Sequence, residues 1–435
     1  MNAKKKVLAL VGLTAAVTVL AGCSNSAVPS GNSGGDSGTE IEILSNFTSD
    51  IARGKVLDKL IEEFNSENEG TYKVVSKAQP DWPTLQQQIR SSISAGDAPD
   101  VFLYNFNPTD LSREESGALM DWSSYLDDDA DWKGRFKEDN LTSLTIDGEV
   151  VGIPGDQAPA LFYYNTDLFE KAGITEFPTT WDDYLADAQK ITDSGAAAIS
   201  MMTADDSWHT MNAFSYLATA DGGADVYAPG SDLDNPAIVK AADYTKQLLA
   251  LSTPDAVGGN YAASSSNFLN GQSASIIDGP WLISSIQSTL GDDACKIAVA
   301  PAPTFGNGAI EPGYTVTDSL NVWGAAKQDD KEKEKAVVAW MKFFTSNDSA
   351  VQMAVEGEYP MAVQTELSAA DKEKASCQMA QVLEIANAAP TSVVQMARGI
   401  TTDAQAQLPS LLESLALGQT TPEQFATSLQ TVNAG

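Results

Sequence analysis

Between Glu40 and Tyr104 short β-prone runs alternate with amphipathic helical segments, an order that restricts the body of the chain to helices packed on a largely parallel sheet. Glu40 to Ser45 reads as a strand, and Val56, Leu57, Leu60, Ile61 and Phe64 then fall on one helical face. Tyr72 to Val75 is the next strand. Leu85 to Ile93 forms a helix stopped at Ala95-Gly96, and Pro99 to Tyr104 is an apolar strand running into a loop. Further on, Asp147-Gly148 between β-prone flanks predicts a type I′ hairpin turn. Thr180, with Asp183 three residues later, predicts a capped helix running through Ile191. Ile276 to Asp278 is a strand broken by Gly279-Pro280, with Leu282 to Leu290 helical after it, and the carboxy-terminal third is mainly helical. The chain has 435 residues, more than one hydrophobic core usually serves, so two lobes are expected.

Ahead of this body stand Lys4, Lys5 and Lys6, an apolar run from Val7 to Leu20, and Leu20-Ala21-Gly22-Cys23. The run falls short of the roughly 18 apolar residues of a spanning helix and has the form of a signal peptide, residues 1–22. Cysteine directly after the small residues marks a lipoprotein cleavage site, with Cys23 as the lipidated residue. Ser24 to Thr39 offers Ser, Asn, Gly, Pro and Asp and almost nothing to bury, so residues 23–40 are expected to be a flexible tether. The expected location is the outer face of a cell membrane, a Gram-positive surface rather than a periplasm.

With 26 Lys+Arg against 59 Asp+Glu, the formal net charge is −33, which repels nucleic acid and anionic lipid and keeps a surface protein dissolved. A lone histidine, His209, rules out an HExxH zinc site and leaves any serine triad a single possible base. Gly31-Asn32-Ser33-Gly34-Gly35 matches a nucleophile elbow in letters but has no strand before it or helix after it. Asp127, Asp129, Asp131 and Glu138 have EF-hand-like spacing, yet Trp132 occupies the glycine position of such a loop. No phosphate-binding GxxxxGK[ST] loop occurs, and no metal or cofactor is expected. Beyond Cys23, Cys295 and Cys377 could pair outside the cell or remain thiols.

The stretch Gly148 to Pro154 leading to Tyr163-Tyr164-Asn165-Thr166-Asp167-Leu168-Phe169, then Pro178 to Asp183, then Asp278-Gly279-Pro280-Trp281, in this order behind a lipobox, resembles the extracellular solute-binding proteins of ABC importers, in the family that contains maltose-binding protein. The resemblance covers nearly the whole mature chain. It implies an α/β, two-lobed periplasmic-binding-protein-like fold with a ligand cleft between the lobes. Lobe 1 would be residues 41–152 plus 303–346, and lobe 2 residues 153–302 plus 347–435, which puts Cys295 and Cys377 in the same lobe. It also implies capture of an oligosaccharide and its delivery, by a monomer, to membrane permease subunits of an ABC transporter.

A sugar presents hydroxyl rims and flat C–H faces, so its site needs aromatic planes with amides or carboxylates beside them. Trp281 resembles a family tryptophan that stacks on a sugar ring, and Asp278 stands ready to accept hydroxyls. Asn46 and Phe47 follow the first strand, and Asn105 and Phe106 follow Tyr104, at strand ends where open α/β sheets hold ligands. Asp156 and Tyr163 flank the first chain crossing, and Trp208 and His209 sit in a polar loop after Met201-Met202. Asp318, Glu358 and Tyr359 resemble cleft-lining residues. Two alternatives stand beside this reading: an extracellular glycoside hydrolase using two of the many carboxylates, and the same scaffold holding a non-sugar solute such as a polyamine or metal chelate.

Overall fold

The computed structural model describes residues 38–105, 117–156, 158–204, 207–317 and 321–434. The signal peptide, the Cys23 lipidation site, all but the last residues of the tether, Phe106 and Asp318 lie outside them. Strands β1 (Thr39–Ser45), β2 (Tyr72–Ala78) and β3 (Val101–Asn105) run parallel, as their helical connections require. The first connection, Ala52–Glu67, buries Val56, Leu57, Leu60, Ile61 and Phe64. The second, Trp82–Ala95, starts where Asp81 accepts the Thr84 amide and ends at Gly96, whose φ of 71° is the left-handed geometry glycine adopts without a Cβ penalty.

After the hairpin β4 (Thr145–Ile146) and β5 (Glu149–Val150), with Asp147 and Gly148 both at positive φ, the chain enters β6 (Ile153–Asp156). It then enters β7 (Pro159–Asn165), which pairs with β8 (Ser275–Asp278), β9 (Ile297–Ala300) and β10 (Thr315–Thr317). Next, β11 (Asn321–Ala325) returns to lie between β3 and β6, while β12 (Ser392–Val394) closes the second sheet beside β10. Two five-stranded sheets result, ordered β2-β1-β3-β11-β6 and β12-β10-β7-β8 with β9 also on β7. The first is sealed by Trp122, Trp132, Trp323 and Trp340. The second is covered by helices including Trp181–Asp193, whose cap is the expected Thr180, and Trp208–Gly222, buried on every side from His209 to Ala220.

The pairings assign the segments near the passages between the two sheets. Ile153–Asp156 belongs to the first sheet because it hydrogen-bonds with β11, so the chain leaves that sheet after Asp156. Thr315–Thr317 belongs to the second, being paired with β7, whereas Asn321–Ala325 belongs to the first, being paired with β3. Residues 347–363 also stay on the first side, since Ala350, Met353, Tyr359, Met361 and Val363 pack into its core, and the last passage precedes the helix Cys377–Ala388. Cys295 and Cys377 are joined by a disulfide with Cα atoms 5.9 Å apart. Among the described residues, no helix is long and apolar enough to cross a membrane.

Candidate functional site

The expected site residues that lie among the described ones gather where the chain passes between the two sheets. On the side of the second sheet, β8 ends in Asp278, which is fully buried. Its Oδ1 accepts the Gly279 amide at 2.7 Å and its Oδ2 accepts the Tyr261 hydroxyl at 3.2 Å. His209 Nε2 stands 3.4 Å from the same Oδ2, outside hydrogen-bond geometry, while its Nδ1 meets Ser264 Oγ at 2.8 Å. A Cβ on Gly279 would fall 2.3 Å from the Trp281 ring, so glycine there lets the indole fold back over the strand end. Trp281 and Trp208 are both partly exposed, with ring centroids 5.1 Å apart at 57°. Trp208 follows Ser207, a non-glycine residue at φ 51° whose hydroxyl is tied to the Thr203 carbonyl at 2.7 Å. Such backbone strain is maintained where the surroundings over-determine a position, commonly at ligand sites.

On the side of the first sheet, Asn105, Asn321 and Asp156 lie in register across β3, β11 and β6. Asn321 Nδ2 donates to both Asp156 oxygens, at 3.1 and 3.0 Å, and the Tyr359 hydroxyl donates to Oδ2. Phe47 lies beneath, 3% exposed, with its ring edge-on to Trp323 and Tyr359 and the Arg53 guanidinium 5.4 Å above it. Burial pulls the Arg53 guanidinium down from its ordinary range, against the opposing pull of Tyr359, Asp156 and Tyr261. Tyr261 belongs to the other side, so the two halves lie within electrostatic reach. Burial, then Asp278, raises the Tyr261 and Tyr163 phenols well above their usual range, and burial, then Asp156, does the same to Tyr359.

Glu358 sits at φ 51° directly before Tyr359, and its Oε2 accepts the Ser376 hydroxyl at 3.0 Å. Burial pushes its carboxyl up to about 7, against the Ser376 hydrogen bond, which lowers it. A carboxyl whose folded value is raised binds more protons folded than unfolded, so its contribution to stability falls as pH climbs from about 4.5 to about 7. Glu358→Gln is therefore expected to flatten that part of the stability profile and to stabilise the protein at pH 8, as urea unfolding across pH 5–8 would measure.

Phe47, Tyr163 and His209, expected at the ligand surface, are buried at 3%, 0% and 1% exposure and support the residues above them. Arg53, Tyr261 and Asn321 join the cluster without having been singled out in the sequence. Arg53 lies in the first turn of the helix that follows β1, a strand-end position equivalent in kind to Asn46, which was the available signal. The acidic run near Asp129 serves packing: that carboxylate caps Ala130–Lys133 and pairs with Lys342 at 2.7 Å.

Two α/β sheets with aromatic and polar side chains assembled at the passages between them define a two-lobed binding protein. The model of the bacterial extracellular solute-binding protein family matches residues 48–351, and the chain belongs to that family. A protein of Brucella abortus (strain 2308) is 28% identical over 311 residues, 68% of this chain and 72% of its own length. The maltodextrin-binding protein MdxE of Bacillus subtilis (strain 168) is 24% identical over 404 residues, 89% of this chain and 88% of its own. Among solved structures, a chitin oligosaccharide binding protein superposes with a TM-score of 0.75 at 22% identity, over 92% of this chain and all of that one.

Proposed function

We propose that the protein captures an oligosaccharide between its lobes and delivers it to the membrane permease of an ABC transporter. The observation that carries this reading is the pair of partly exposed indoles, Trp208 and Trp281, set beside the Asp278–Tyr261 hydrogen bond and within electrostatic reach of Arg53. Indole faces receive the C–H face of a sugar ring while carboxylates, amides and phenols take its hydroxyls. A ligand touching both lobes favours their approach by its differential affinity, and the closed form is what a permease would engage. The maltodextrin-binding and chitin oligosaccharide binding relatives support a saccharide. Lys4 to Cys23 supports export and a lipid anchor on the outer membrane face, from which residues 23–40 tether a monomeric body near its permease.

A panel of linear oligosaccharides tests the reading by thermal shift, since a ligand bound only to the folded state raises the melting temperature. At least one member is expected to do so and to be recovered uncleaved. Recovery of shortened products would favour the glycoside hydrolase reading, and no shift across the panel would remove the saccharide.

A further inference from the structure

His209, the single histidine of the chain, is buried beside the Asp278–Tyr261 pair, with its ring centroid 5.3 Å from that of Tyr261 and 5.5 Å from that of Trp208. Two features of its surroundings favour a proton on Nε2. The first is the hydroxyl chain on its other edge. Ser200 Oγ donates to the Ser264 carbonyl at 2.6 Å, so toward Ser264 Oγ it can only accept. The Ser264 hydroxyl then has two acceptors, Ser200 Oγ at 3.3 Å and His209 Nδ1 at 2.8 Å, and the shorter contact makes Nδ1 the acceptor. The second is Asp278, whose Oδ2 lies 3.4 Å from Nε2. A proton on Nδ1 instead would set a nitrogen lone pair against this fully buried carboxylate.

We infer that His209, with its proton on Nε2, is the positioning residue of the ligand surface, holding Asp278 against Tyr261 on one side and Trp208 on the other. The inference deepens the oligosaccharide reading above and rests on it for what the surface receives. Among the described residues, the donors that face Asp278 are the Gly279 amide at 2.7 Å, the Tyr261 hydroxyl at 3.2 Å and His209 Nε2. The amide fixes Oδ1. Oδ2 is shared by the two longer contacts, so the histidine decides how far it turns from the phenol. Tyr261 is acted on in turn by the Trp281 indole N–H, which holds its phenol down against burial and Asp278. A line of polar groups thus runs from Ser200 through Ser264, His209, Asp278 and Tyr261 toward one indole, while the imidazole makes ring contact with the other, Trp208. Displacing the imidazole disturbs both planes at once.

Nitrogen-15 NMR of the full, untagged chain labelled at histidine reads one pair of ring nitrogens, because there is one histidine. In neutral buffer a protonated Nε2 is expected, and an unprotonated Nε2 would overturn the inference. Two isosteres then separate positioning from scaffolding, with affinity for maltotriose and N,N′-diacetylchitobiose measured by calorimetry and stability by urea unfolding without sugar. His209→Gln carries its amide to the Nε2 position and abandons Ser264, so it should lose stability but keep affinity within about threefold. His209→Asn carries its amide to the Nδ1 position and abandons Asp278, so it should keep more of the stability and bind about tenfold more weakly. Equal affinities in the two variants, or affinities that follow stability, would overturn the positioning role. Failure of the whole sugar panel to bind the unaltered chain would take the saccharide reading down. The nitrogen spectrum needs neither sugar nor variant and still decides the Asp278 contact.

Discussion

Replacing Trp281 with alanine is expected to weaken oligosaccharide binding by about tenfold to a hundredfold, the consequence of losing on the order of 1 to 3 kcal/mol of stacking and apolar burial. The indole lies over Gly279 at the end of β8 and makes ring contact with Trp208, so its loss removes one plane of a two-plane surface. Trp208→Ala should act in the same direction, and the double variant should lose less than the product of the two effects, because each ring also holds the other. Folding should be spared, since Trp281 is partly exposed and the large core tryptophans of the second lobe and its neighbour, Trp181 and Trp323, are elsewhere. Calorimetry with the best sugar measures the affinity, and unfolding in the absence of sugar checks the scaffold. Unchanged affinity would remove the indoles from the site.

The second large effect concerns the scaffold. Cys377→Ser opens a covalent link between residues 82 apart in sequence, and closing a loop of that length restricts the unfolded chain by about 4 kcal/mol. The bond ties the turn Gly291–Lys296 to the start of the helix Cys377–Ala388, whose Gln378 donates to the Ala294 and Ile297 carbonyls at 2.7 and 2.6 Å. Those hydrogen bonds keep the junction in register after the sulfurs part. The expected result is a lower melting temperature with a largely retained fold. Adding reductant to the unaltered protein should reproduce that lower value and leave the variant unmoved. Equal stability of the two forms would mean that the hydrogen bonds and the core around Met379 and Val382 carry the junction alone.

Features encoded within a few residues were legible in the sequence. Thr180 caps its helix, Asp147-Gly148 makes its turn, and Gly279-Pro280 ends β8 and turns the chain into Leu282–Leu290, because each depends on local backbone chemistry. The α/β class followed from the same local patterning, whereas the two-lobed arrangement came from chain length and the family resemblance. The sheet to which each of Ile153–Asp156 and Thr315–Thr317 belongs was not legible, because they take their places from strands far away in sequence, β11 and β7. Site membership divided in the same way. Trp281 and Asp278 announce themselves by the break between them, whereas Asn321 becomes visible only when its register opposite Asn105 and Asp156 is known. Phe47 shows the converse limit: standing at a strand end does not determine which way a side chain points, and this ring turns down onto Trp323.

A crystal structure of the protein with its best-binding oligosaccharide tests the central claim most directly. The account places a sugar ring against Trp208 and Trp281, with hydroxyls reaching Asp278 and Tyr261 beside them. A sugar seated elsewhere, for example in the surface depression of about 580 Å³ lined by Asp234, Lys240, Asp243, Pro422 and Glu423, with the indoles left bare, would contradict it.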